Sequence, residues 1–152
     1  MKRALIALGL LLSGASLASV WAQSNDLIDA LLAEPAASYG KASWLALSGA
    51  GHVKPEATPA EALGTLAEKS WTLEGRAAEA PVTTGEYAFL LMRAFGLKGG
   101  LMYRLLPGPR YATRQLSYAK LLGPKAAPGD PLSGEQAARL VSELVERKGG
   151  RS

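Results

Sequence analysis

Residues 81–96, "PVTTGEYAFLLMRAFG", and residues 131–147, "PLSGEQAARLVSELVER", open in the same way. Each carries a Thr or Ser, a Glu or Gln three residues later, and then an apolar run: Thr83 with Glu86, Ser133 with Gln136. A third stretch, "TPAEALGTLAEK" from Thr58, pairs Thr58 with Glu61 and places Pro59 at the first helical position. A hydroxyl at this point accepts from a free first-turn amide, and the carboxylate or amide three residues on accepts from the cap amide. Proline at the first position loses nothing, because its missing N–H would have had no helical partner. Three helix starts are thereby marked, and a chain punctuated in this way reads as mainly α.

The runs that follow agree. After Thr83, the residues Tyr87, Ala88, Phe89, Leu90, Leu91, Met92, Ala94 and Phe95 leave only Arg93 charged, which predicts a central helix buried on most sides and closed by a left-handed Gly96. After Ser133, Ala137, Leu140, Val141, Leu144 and Val145 form one stripe, with Glu143 and Arg147 four residues apart on the outer face. "YATRQLSYAKLLG" (111–123) predicts a helix ending at Gly123, and "DLIDALLAE" (26–34) a short helix capped by Ser24 or Asn25, or else an arm. "GKASWLALSGAG" (40–51) and "EKSWTLEGRAA" (68–78) are short segments led by a tryptophan, and "GLMYRLL" (100–106) is a strand or a turn of helix before the rigid "PGP". The expectation is a compact bundle of five to seven short helices.

The chain has 152 residues and no cysteine. Its first 22, "MKRALIALGLLLSGASLASVWA", combine a charged start, a short apolar run and a small-x-small site at Val20–Trp21–Ala22. This is the pattern of a secretory signal peptide; the run is interrupted by Ser13, Gly14 and Ser16 and falls short of the roughly 20 residues that a spanning helix needs. The expected organisation is a signal peptide at 1–22, an N-terminal helix or arm at 23–39, one α-helical domain at 40–148 and a disordered tail at 149–152. Export would make the protein periplasmic or extracellular. Without cysteine, neither a disulfide nor an anchor on a lipidated N-terminal cysteine is open to it, so the core rests on packing.

Charge is unevenly placed. Residues 23–86 hold four basic and nine acidic side chains, whereas residues 87–129 hold seven basic ones (Arg93, Lys98, Arg104, Arg110, Arg114, Lys120 and Lys125) and no acidic one. Such a stretch either faces an anionic partner or lies against the acidic first half of its own fold. Within it, Tyr103 and Tyr111 flank Arg104 and Arg110 around the "PGP" break, a mixture suited to stacking and charge-assisted hydrogen bonding. Tyr87 belongs with the core.

Reaction chemistry finds no motif. His52 in "SGAGHVKPEA" is the single histidine; with no cysteine it supports neither a metal site nor a hydrolase triad, and an exposed or packing role is expected of it. "GAG" at Gly49–Gly51 lacks the context of a dinucleotide loop, and "LKGG" lacks the ending of a phosphate loop. No enzyme, cofactor or metal is expected.

Thr84–Gly85–Glu86 matches Ser133–Gly134–Glu135 at an offset of 49 residues. Around it, "RYATRQLSYAKLLG" (110–123), "PGDP" (128–131) and "LSGEQAARLVSEL" (132–144) follow one another as helix, Gly/Pro loop and boxed helix. That order resembles the S-layer homology family, with "VTTGEYAFLLMRAF" similar to the second half of a preceding repeat and "KASWLALSGAG" with "TPAEALGTLAEK" to a shortened first one. The resemblance implies a bundle of helix-loop-helix repeats that holds an anionic cell-envelope polysaccharide without catalysis. It puts the helix boxes at Thr58, Glu61, Thr83, Glu86, Ser133 and Gln136. The arginine of the family's box is replaced here by Pro59, Thr84 and Ser133, so ligand contacts would fall to Arg104, Arg110, Arg114, Lys120, Tyr103 and Tyr111. An envelope protein as partner, or a purely structural role, are the other readings; nucleic acid and a transmembrane segment after signal removal are not expected.

Overall fold

The computed structural model describes residues 15–150, with side chains from Ser24 onward. The expected signal peptide (1–22) and tail (149–152) reach outside that range. Among the described residues there are seven helices: α1 (Ala15–Leu32), α2 (Tyr39–Ala50), α3 (Pro59–Glu68), α4 (Thr84–Ala94), α5 (Leu101–Leu105), α6 (Pro109–Tyr118) and α7 (Gly134–Gly149). The protein is mainly α. Residues 100–106 take the helical alternative, as α5, whereas "EKSWTLEGRAA" forms no helix beyond its first residue and runs as turns after α3.

The three marked caps form as full reciprocal boxes. The Thr58 N–H donates to Glu61 Oε2 at 2.6 Å, the Thr83 N–H to Glu86 Oε2 at 2.8 Å and the Ser133 N–H to Gln136 Oε1 at 3.0 Å, with the return bond to each hydroxyl present. Ser24 and Asn25 cap nothing, because α1 begins upstream of them and their amides lie inside a helix already under way. Gly96 is left-handed as expected, and the Leu97 and Gly96 amides close on the carbonyls of Met92 and Arg93. The helix expected to reach Gly123 stops instead at Tyr118. Lys120 takes the left-handed position there (φ 59°), and the Leu121 N–H turns back to the Leu116 carbonyl.

What positions the helices is a closed cycle of backbone hydrogen bonds among three proline-bearing segments. Glu34–Pro35, Ala80–Pro81 and Asp130–Pro131 each precede a helix: α2, whose Ser38 makes no side-chain cap bond, α4, capped by Thr83, and α7, capped by Ser133. The first amide of each helix donates to the residue before the next proline: Tyr39 to the Ala80 carbonyl (2.8 Å), Thr84 to Asp130 (2.9 Å), Gly134 to Glu34 (3.0 Å). Inside the cycle the Val82 N–H donates to Ala37 and the Ala37 N–H to Leu132, and these three side chains have 2%, 0% and 1% exposure. Buried amides at three helix ends are thus satisfied by backbone, not by water. The structural match between α4 and α7 runs from Thr83 to Ser133, so the sequence match that equated Gly85 with Gly134 is one residue out of register.

Around this hub α2 packs against α4 and α7, while α3 lies on α2, α6 on α4 and α1 on α7. Trp44, Tyr87, Leu31, Leu47, Leu66, Leu91, Leu116 and Leu140 form the centre of the core. The segment 23–39, expected as a helix or an arm, takes the helical alternative as far as Leu32, and because Leu31 and Ala37 are fully buried, residue 40 is no boundary in packing.

Two carboxylates brace the hub. Burial pushes the Glu86 carboxyl up, but the Thr83 amide and the Arg76 guanidinium beside it outweigh burial and hold it below its usual value of 4.5. Glu34 behaves alike: burial raises it, and Lys41 with the Ser38 amide and hydroxyl brings it lower. A carboxyl held lower in the folded state gives stability that is complete above 4.5 and lost as pH falls through the folded value. Stability measured by urea unfolding should therefore decline below about pH 4.5, and Glu86→Gln should flatten that decline. An unchanged acid limb in Glu86→Gln would remove Glu86 from the account.

Candidate functional site

The six side chains expected to meet a ligand separate into groups. Pro109 starts α6, whose Ala112, Thr113 and Leu116 are buried. Its sequence then puts Arg110, Arg114 and Tyr118 on one exposed line, four residues apart. The Arg114 Nη2 donates to the Tyr118 hydroxyl at 3.2 Å, and Tyr118 is 69% exposed. Facing them is the loop Pro124–Gly129, and between helix and loop runs a groove of about 720 Å³. Its far wall is Pro124, Ala126 and Pro128.

That loop is fixed at several points. Asp130 Oδ2 accepts from the Ala127 N–H at 2.8 Å, the Ala126 N–H closes on Gly123, and the Pro128 carbonyl accepts from the Gly85 N–H at 2.8 Å. The groove wall is therefore tied to the hub. It offers two guanidinium groups, a phenol and proline rings, which together suit a sugar ring bearing an acidic substituent.

Tyr103 and Arg104 lie elsewhere, in a groove of about 620 Å³ shared with Lys98 and Pro107. Tyr103 is half-buried and meets Phe89 edge to face at 6.3 Å, and burial pushes its phenol up despite nearby Arg93. It is a packing residue more than a surface one. Tyr111 is half-buried and Lys120 exposed; neither lines either groove. The exposed aromatic of the groove is Tyr118, ranked in the sequence behind Tyr103 and Tyr111, although its four-residue spacing from Arg114 was there to be read.

The basic stretch forms no ion pair with the acidic half among the described residues, although Arg93 donates to the Ser70 carbonyl at 3.4 Å. Among the described residues the ion pairs are Lys41–Glu34, Arg76–Glu86, and Arg139 and Arg147 with Glu143. None of the seven basic side chains between residues 87 and 129 takes part. Arg93 sits over the Phe89 ring at 4.0 Å. His52 is a packing histidine: its Nε2 is 2.7 Å from the Ala94 carbonyl oxygen and its ring meets Trp71 edge-on. No helix among the described residues is long and apolar enough to cross a membrane. Comparison of the chain with family models, curated proteins and solved structures finds no match.

Proposed function

We propose that this chain is an exported, non-catalytic binding module built from three S-layer-homology-like units, and that it holds an anionic cell-envelope polysaccharide in the groove between α6 and the loop 124–129. The observation that carries this reading is the pairing of Arg110 and Arg114, exposed and free of carboxylate partners among the described residues, with Tyr118 and a wall of prolines. Guanidinium groups left unpaired in a fixed groove can accept carboxylate or phosphate without first breaking an internal ion pair. The aromatic ring and the prolines add apolar surface for a sugar face. The hub of three proline segments supports a repeat reading with the units regrouped as α1 with α2, α3 with α4 and α6 with α7: Thr58 then opens an outer helix, and α2 and α3, expected to form one shortened unit, fall in two.

The test is binding to purified anionic wall polysaccharide at low salt. Arg110→Ala with Arg114→Ala should weaken binding by about a hundredfold or more, as expected for the loss of two charge-assisted contacts at about 1.5–3 kcal/mol each. Both side chains are exposed, so the variant should unfold at the wild-type denaturant concentration. Unchanged binding would place the site elsewhere.

A further inference from the structure

Helix α5 shows an apolar face to solvent. Leu101, Met102, Leu105 and Leu106 are 69%, 48%, 65% and 59% exposed, and Pro107 continues the surface. At helical spacing these four side chains share one side, while Tyr103 turns away from them and is seated against Phe89 of α4. The Gly100 N–H is held by Gln115 Oε1 at 3.1 Å. The body of the protein therefore fixes the direction in which the four apolar side chains point.

The charges beside this face have one sign. Lys98 and Arg104 line the groove on the Tyr103 side of α5, and no acidic residue lines that groove. A contiguous cluster of exposed large apolar side chains in a soluble fold marks a contact surface. When the cluster is flanked only by cations, the partner that complements it has an apolar interior under a layer of negative charge. A bilayer containing anionic phospholipid has that structure: acyl chains receive the leucines, and head-group phosphates meet Lys98 and Arg104. A helix of five residues is too short to offer a protein groove the successive turns of a docking helix, but it suffices to wedge into a head-group layer.

We infer that α5 is a membrane-surface anchor, in which Leu101, Met102, Leu105 and Leu106 enter the interface of an anionic phospholipid bilayer while Lys98 and Arg104 bind its head groups. This rests on a different surface from the groove at Arg110 and Arg114 and does not depend on polysaccharide binding.

The test is sedimentation of the full chain with vesicles of phosphatidylcholine alone and of phosphatidylcholine mixed equally with phosphatidylglycerol. The N-terminal apolar run is common to every variant, so differences between variants report on α5. Leu101→Ser with Leu105→Ser, and separately Lys98→Ala with Arg104→Ala, should each weaken binding to the mixed vesicles by about tenfold or more, with helical circular dichroism unchanged. In a third variant, the indole introduced by Leu105→Trp should shift its emission to the blue and be quenched by brominated lipid. Vesicle binding by both paired variants that equals the wild type's, an indole that stays in water, or a surface that retains a protein but no vesicle would each overturn the inference.

Discussion

Gly134→Ala is expected to lower the stability of the fold by about 3–5 kcal/mol, the range of severe backbone or core disruption. Gly134 is the first residue of α7, and a Cβ placed there would lie 1.6 Å from the Leu31 carbonyl oxygen and 2.5 Å from its carbon. Those are backbone atoms at the end of α1, so no side-chain rotation relieves the overlap. Either α1 withdraws from α7 or α7 tilts out of the hub. Both moves threaten the Gly134 amide bond to Glu34 and the full burial of Leu31. Gly64→Ala is the control: it lies within α3, nothing approaches its Cβ position within 4 Å, and alanine should gain about 0.5–1 kcal/mol from helix propensity. Urea unfolding of the two variants gives opposite shifts if the hub is as described. Equal midpoints for Gly134→Ala and wild type would mean that α1 does not close the cycle.

Trp44→Ala should cost about 3–5 kcal/mol, the usual range for emptying a large aromatic site. Trp44 lies on α2, the helix that packs against α3, α4, α7 and α1, and is 1% exposed. Its indole N–H has no hydrogen-bond partner among the described residues, so packing and not polar bonding accounts for the loss. Tyr87→Phe makes the contrast. The Tyr87 hydroxyl is fully buried with no partner among the described residues, and burial pushes its titration far up. Removing an unsatisfied buried hydroxyl while keeping the ring should leave stability unchanged or raise it by about 1 kcal/mol. Thermal unfolding of both variants decides the matter. A large loss in Tyr87→Phe would show that the hydroxyl is hydrogen-bonded after all.

The parts of this fold that were legible in the sequence are those whose physics is local. A hydroxyl and an acceptor three residues apart suffice to announce a helix, and Thr58, Thr83 and Ser133 could be read without knowing what surrounds them. Ser38 could not, because the residue three places on is Lys41; its amide is taken by Glu34 from the preceding segment. The hub was invisible for a different reason. Its bonds join Tyr39 to Ala80, Thr84 to Asp130 and Gly134 to Glu34, and nothing local to any one segment names the other two. The end of α6 was misread because the left-handed position falls to Lys120 and not to a glycine. At the site, charge was plain but direction was not: Arg110 and Arg114 share a groove, Tyr103 turns inward, and Tyr118 takes the exposed place expected of Tyr111.

An anionic polymer and an acidic envelope protein would both be drawn to this surface, and both would be released by salt. The direct test is therefore co-sedimentation of the protein with its own organism's cell-envelope fraction across a salt series, before and after that fraction is treated with protease. Retention that survives protease, falls with salt and is lost in the Arg110→Ala, Arg114→Ala variant is the result expected here. Retention abolished by protease would contradict it, making the partner a protein and the helical units only a scaffold.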